Sequence, residues 1–210
     1  MRKIFLIFLA IFLVACSNEE EISKEESVQS QAESPDFETI RDFLLEKLRG
    51  QNLVRNYSTD GANTKIIFEN GGYFTGDYFG KKEDDGFDGK LSDTAAIFYH
   101  AEEIHSSKFE GTFEITKMID EYTYEMKLKD FKITSQVGPH DDIYYNVDFA
   151  LGINPDGKYL LYRPGTLIKD LDQRDERLIE IAKNGEENRE KTVGFIIYNQ
   201  TDKEIFAQNQ

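Results

Sequence analysis

Between Phe109 and Leu128 the chain changes face with every residue. Phe109, Gly111, Phe113 and Ile115 alternate with polar residues, Asp120-Glu121 interrupts, and Tyr122, Tyr124, Met126 and Leu128 alternate again. Successive side chains of a strand point to opposite sides, so this period of two marks two long antiparallel strands with one buried face. The same reading makes Lys65 to Phe68 and Tyr73 to Phe79 a hairpin about Asn70-Gly71-Gly72, since Asn-Gly accepts the positive φ of a tight turn. Further strands are expected at Thr94 to His100, Ile143 to Phe149, Tyr159 to Tyr162, Val193 to Tyr198 and Glu204 to Ala207, with turns at Pro155-Asp156-Gly157 and Pro164-Gly165. Gly71-Gly72 and Gly76 to Gly80 sit in hairpin context and read as turns, not as phosphate-cradling loops.

Two segments carry helical spacing instead. Ser34 is placed to cap the first, with Pro35 at its first position, Asp36 and Glu38 at its positive end, and Gly50 after its last apolar residue. Phe37, Ile40, Phe43, Leu44 and Leu48 form its core-facing stripe. The second is expected from an Asp172 cap to Lys183, stopped by Asn184-Gly185. The expected fold is mainly β, an antiparallel sandwich or partly open barrel, with an N-terminal helix and one short helix near the C-terminal end.

The chain begins differently. Arg2 and Lys3 open an apolar run from Ile4 to Ala15 that ends in Leu13-Val14-Ala15-Cys16. Those twelve residues reach about 18 Å as a helix, short of the roughly 30 Å of a hydrocarbon core, so they read as a signal peptide, residues 1–15, and not as a span. The run resembles a bacterial lipoprotein signal. That resemblance implies cleavage before Cys16, a diacylglyceryl group on its thiol, and attachment to the extracytoplasmic face of the cell membrane. An ordinary secreted protein cleaved nearby is the alternative, with a free thiol left over. Cys16 is the single cysteine, so no disulfide forms within one chain and the fold relies on burial. Residues 16–34 comprise that cysteine and an acidic, serine- and glutamine-rich tether too polar to build a core, and residues 35–210 are expected to form one globular domain. Removing Arg2 and Lys3 leaves 25 − 2 = 23 basic against 40 acidic side chains, a mature charge of 23 − 40 = −17. Such a surface repels phosphate backbones and anionic head groups, which excludes nucleic acid as a partner.

The segment Phe109 to Ile133, the Val137-Gly138 turn, Tyr162-Arg163-Pro164-Gly165-Thr166 and the closing Val193 to Asn199 resemble a group of uncharacterised surface lipoproteins of low-GC Gram-positive bacteria. The resemblance implies a cell-surface location and an all-β or α+β domain. It transfers no functional residue other than the lipidated Cys16.

Candidate sites are few. His100 and His105, flanking Glu102 and Glu103, suggest zinc with His140 as a third ligand, but histidines five apart fall together on neither a helix face nor a strand face. Asp84, Asp85, Asp88 and Asp93 put hard oxygen ligands of the kind calcium prefers on a glycine-rich loop, without the spacing of an EF-hand; solvated turn acids account for them better. No serine lies in a Gly-x-Ser-x-Gly or Ser-x-x-Lys setting, so no catalytic residue and no cofactor is assigned. Eleven tyrosines and sixteen phenylalanines, with no tryptophan, suit cross-strand aromatic pairs better than a binding platform. These readings favour a non-catalytic binding module at the cell surface, its partner an envelope component or another surface protein. The alternatives are a carboxylate- or metal-dependent envelope hydrolase and a carrier of a small apolar ligand, its cavity lined by Phe113, Tyr124 and Met126.

Overall fold

The computed structural model describes residues 36–55, 62–81, 103–141 and 144–208. Among them are helix α1 (Phe37–Leu48), strands β1 (Asn52–Arg55), β2 (Asn63–Phe68), β3 (Tyr73–Lys81), β4 (Ile104–Met118), β5 (Thr123–Ile133), β6 (Gly138–Asp141), β7 (Tyr144–Asn146) and β8 (Tyr159–Tyr162), helix α2 (Glu176–Lys183), and strands β9 (Ile196–Asn199) and β10 (Glu204–Gln208). The mainly β expectation with a helix near each end holds. Between sandwich and barrel, the sheet closes: β1, β2, β3, β4, β5, β8, β9 and β10 each pair antiparallel with the next, and β10 returns to β1. The result is an eight-stranded up-and-down barrel. The strand expected at Thr94 to His100 lies outside the described residues. Pro35–Gln210 forms one compact unit.

Closure depends on curvature in the two longest strands. The β4–β5 register shifts between Glu110 and Thr112 and again between Ile115 and Lys117, and Asp130 sits in the first of these bulges at φ 52. Each bulge bends its strand and sharpens the twist, so the sheet curls until its edges meet. Two aromatic-glycine pairs fill the concave side. Phe74 of β3 lies opposite Gly111 of β4, and Phe109 of β4 lies opposite Gly76 of β3. A Cβ at Gly111 would come within 2.8 Å of the Phe74 ring, and one at Gly76 within 2.3 Å of the Phe109 ring. Gly76 and Gly80 are therefore strand residues, not the turn expected from their spacing; Gly76 is bare because a ring occupies its space.

Alternation sorts the apolar residues into two clusters. Inside the barrel pack Leu53, Ile66, Phe68, Phe74, Phe109, Phe113, Tyr124, Met126, Tyr159, Leu161, Ile197 and Phe206. Outside it, Leu160, Tyr162, Ile196, Tyr198 and Ile205 pack under Leu178 and Ala182 of α2. This explains the unbroken apolar runs of β8 and β9, which are buried on both faces. Asp175, not Asp172, caps α2, accepting from the Arg177 and Leu178 N–H groups. Likewise Asp36, not Ser34, caps α1, with its carboxylate 2.8 Å from the Thr39 nitrogen. That hydrogen bond holds the Asp36 carboxyl below its usual range. Leu44 and Leu48 of α1 pack into the barrel cluster, while Phe43 faces solvent beneath the Lys47 ammonium and Leu45 takes its place in the stripe.

The opposite end is crossed by chain that belongs to no strand. β7 runs parallel to Ile104–Ser106 of β4, and the residues after it, Val147 to Ile153, bridge the barrel mouth instead of forming the long strand expected at Ile143 to Phe149. Backbone carbonyls in such a crossing need donors. The Ser107 hydroxyl donates to the Phe149 carbonyl at 2.6 Å, the Thr64 hydroxyl to Leu151 at 2.7 Å, and the Asn199 amide to Gly152 at 3.1 Å. Val147, Ala150 and Ile153 of this strap are buried against the barrel cluster.

Candidate functional site

Three places could do chemistry or bind: the barrel interior, its mouth and the outer wall beside α2. An eight-stranded barrel is just wide enough either to be filled by side chains or to hold one small ligand. Here Phe113 stacks on Phe74 with centroids 5.1 Å apart and meets Tyr159 edge-on at 4.9 Å, with Phe68 6.2 Å away. Phe113, Tyr124 and Met126 are all buried in that packing. Tyr78, Tyr124, Tyr159, Tyr162 and Tyr198 are among the largest fully buried side chains, so these tyrosines serve the core and not an exposed platform.

Polar groups at the mouth and along the walls hold the fold, while the Asn63 side-chain oxygen at the start of β2 is buried without a hydrogen-bond partner among the described residues. Arg55 grips Glu204 with two bonds, Nε to Oε2 at 2.7 Å and Nη2 to Oε1 at 3.0 Å, across the β1–β10 seam. Among the described residues that seam has two residue pairs, Leu53 with Gln208 and Val54 with Ala207, so the ion pair reinforces the point of closure. Gly152, at φ 85, lets the strap pass against Arg55, where a Cβ would lie 2.8 Å from Cδ. His105 is fully buried with Nε2 3.0 Å from Oε1 of the buried Glu103, beside the Tyr145 ring. Tyr159 donates to the Asn154 carbonyl and accepts from the Asn154 N–H, and burial raises its phenol well above the ordinary value. Tyr198 donates to Asp175, the α2 cap; burial and that carboxylate raise it too.

His105 and His140 are thus separated in environment, the first shut inside the barrel and the second exposed on β6. Among the described residues no three His, Cys, Asp or Glu side chains gather as a metal-ligand set. His100, the acidic residues Asp84, Asp85, Asp88 and Asp93, and Cys16, the expected lipidation residue, all lie outside the described residues. No described helix is long and apolar enough to cross a membrane.

On the outer wall a cleft of about 570 Å³ opens between α2 and the strands beneath it. α2 is only eight residues long, and Asn184 in the left-handed conformation turns the chain away. The returning segment runs through Val193 and Gly194 before β9 begins. Gly194 has no side chain where Gln208 reaches over to accept from the Phe195 N–H at 2.9 Å. Val54, Ile181, Val193 and Ala207 supply apolar lining, while Arg177, Glu180 and Gln208 supply polar groups. Val193 is 47% exposed. An open cleft with partly covered apolar side chains and a few polar groups suits recognition of another molecule. The strand expected at Val193 to Tyr198 hides it, because Val193 precedes β9; the usable signal is the helical spacing of the exposed Arg177, Glu180 and Asn184.

In comparisons with protein-family models, with curated proteins and with solved structures, the chain finds no match.

Proposed function

We propose that this protein is a lipoprotein held by diacylglyceryl on Cys16 at the extracytoplasmic face of the cell membrane, where it acts as a binding module for an envelope component or another surface protein. The cleft between α2 and the barrel wall carries this reading: it is open and partly apolar, with Val193 47% exposed in its lining beside the polar Arg177 and Glu180. The filled interior weighs against the carrier alternative, since Phe113 has aromatic neighbours at 4.9 and 5.1 Å in place of a ligand space. The buried acids weigh against the hydrolase alternative within the described residues: Glu103 is engaged with His105, Asp175 with the α2 backbone and Tyr198, and Glu204 with Arg55.

Two experiments test the two halves of the proposal. Cys16→Ser should shift the protein from the membrane fraction to the medium or soluble fraction, and unchanged fractionation defeats the anchor. A photo-crosslinking residue at position 193, in the cleft, should give discrete adducts on intact cells, whereas one at the equally exposed Val137 should not. Equal labelling from both positions, or none from 193, defeats the cleft as the binding surface.

A further inference from the structure

We infer that the upper edge of β5 is a strand-addition site for an acidic, extended peptide. β5 runs for eleven residues, but β8 pairs only with Thr123 to Met126. The chain entering β8 arrives through the Asn154–Gly157 turn and keeps to the β9 side, where the Lys158 N–H donates to the Thr201 hydroxyl and the Lys158 carbonyl accepts from Gln200. Past Met126, therefore, β5 has β4 on one side and no strand among the described residues on the other. The Tyr122 carbonyl accepts from the Arg163 N–H on the β8 side. Backbone groups of an antiparallel strand alternate in direction, so those of Tyr124, Met126 and Leu128 also face that side, and Leu128 meets no described strand there. A cleft of about 510 Å³ opens where the strands part, lined by Met126 and Lys127 on one lip and Pro155 to Lys158 on the other.

Charge selects the occupant. In a chain of net charge −15, the outer face of this edge carries Lys127, Lys129 and Lys132, and Lys158 stands on the opposite lip. Lys129 and Lys132 are paired with Glu114 and Glu110 of β4, while Lys127 and Lys158 make no ion pair among the described residues. Of the acids lining the cleft, Glu125 is paired with Lys117, which leaves Asp156 as the opposing charge. Lysines and the bulge at Asp130 protect an edge against pairing with a second copy, which would bring lysine against lysine. The same lysines accept a strand of opposite sign. Such a strand places acidic side chains beside Lys127 and Lys129, in cross-strand contact, and its alternate residues over Leu128 on the inner face. The class is a short segment of alternating acidic and β-branched residues. This surface is separate from the α2 cleft, so either assignment stands or falls alone.

The test is titration of the isotope-labelled protein with the capped peptide Glu-Val-Glu-Val-Glu, followed by amide NMR and hydrogen exchange. Binding should shift resonances along Met126 to Lys129 and slow exchange at the Leu128 N–H. The double variant Lys127→Glu, Lys158→Glu should weaken binding about tenfold, by reversing the charge of one cross-strand partner and of the opposite lip. Asp156→Asn should strengthen it. The same peptide N-methylated at alternate residues keeps its charge but cannot form the ladder, and it should not bind. Equal binding of the methylated peptide, no change at Leu128, or concentration-dependent self-pairing of the protein along this edge would overturn the inference.

Discussion

Replacing Gly111 by alanine probes whether the barrel is solid. The new Cβ would stand 2.8 Å from Cζ and 3.2 Å from Cε1 of Phe74. Ordinary contact begins near 3.4 Å, so the ring must retreat by 3.4 − 2.8 = 0.6 Å. It has nowhere to go: Phe113 lies 5.1 Å away on its stacked side, Phe68 5.9 Å and Phe109 6.4 Å, centroid to centroid. Forcing a methyl into a packed core costs about 1–3 kcal/mol, against which alanine recovers about 0.5–1 kcal/mol of glycine's backbone entropy. The difference centres on a loss of about 1 kcal/mol, or a melting temperature lower by roughly 2–4 °C in a domain of this size. In a Phe74→Leu background the obstructing ring is gone, so the same substitution should cost less than about 0.5 kcal/mol, a coupling of more than about 0.5 kcal/mol between the two sites. Urea denaturation of the wild type, both single variants and the double variant measures this cycle. If Gly111→Ala is as stable as the parent, or costs the same in both backgrounds, the interior has slack and a ligand-holding barrel regains its basis.

Three further outcomes follow from other parts of the structure. Asn199 is fully buried, accepts from the Thr201 and Asp202 N–H groups and donates to the Gly152 carbonyl and Asp202, so Asn199→Ala should cost about 2–3 kcal/mol in chemical denaturation and speed proteolysis of the strap. Burial and the Asp172 charge push the Tyr162 phenol up to about 12, from an ordinary 10.0. The folded protein therefore holds a proton that the unfolded chain releases; this stabilisation is whole below pH 10 and disappears as pH rises to about 12, and Tyr162→Phe should flatten that alkaline loss in pH-dependent melting. Lys203 closes the β9–β10 hairpin at φ 56, where a side chain is strained, so Lys203→Gly should stabilise by up to about 1 kcal/mol in the same assay.

The hairpins were legible because their signals are local. The alternation about Asp120-Glu121 and the Asn70-Gly71-Gly72 turn each fix a register within a few residues, and both appear in β4–β5 and β2–β3. Closure was not legible, because it joins β1 to β10 through Leu53 and Gln208 and depends on extra residues, Asp130 and Thr116, neither of which is a glycine. Asp36 displaced Ser34 as a cap, and Asp175 displaced Asp172, between residues of similar capping power; only packing decides among them. Phe43 and Leu45 are apolar residues that flank the buried Leu44 on α1, and the contact with the Asn70–Gly72 turn selected Leu45. The α2 cleft was harder still. Val54, Ile181, Val193 and Ala207 come from four separate segments and share no motif, so the site exists only once the wall is assembled.

The central claim is that this barrel is a packed scaffold that binds by its outer wall. Titration with a long-chain fatty acid, followed through the aromatic NMR resonances of Phe74 and Phe113, tests it most directly. The account predicts that neither ring moves and that melting temperature is unchanged at saturating lipid below its micelle concentration. Saturable binding with shifts at both rings would place a ligand inside the barrel and contradict it.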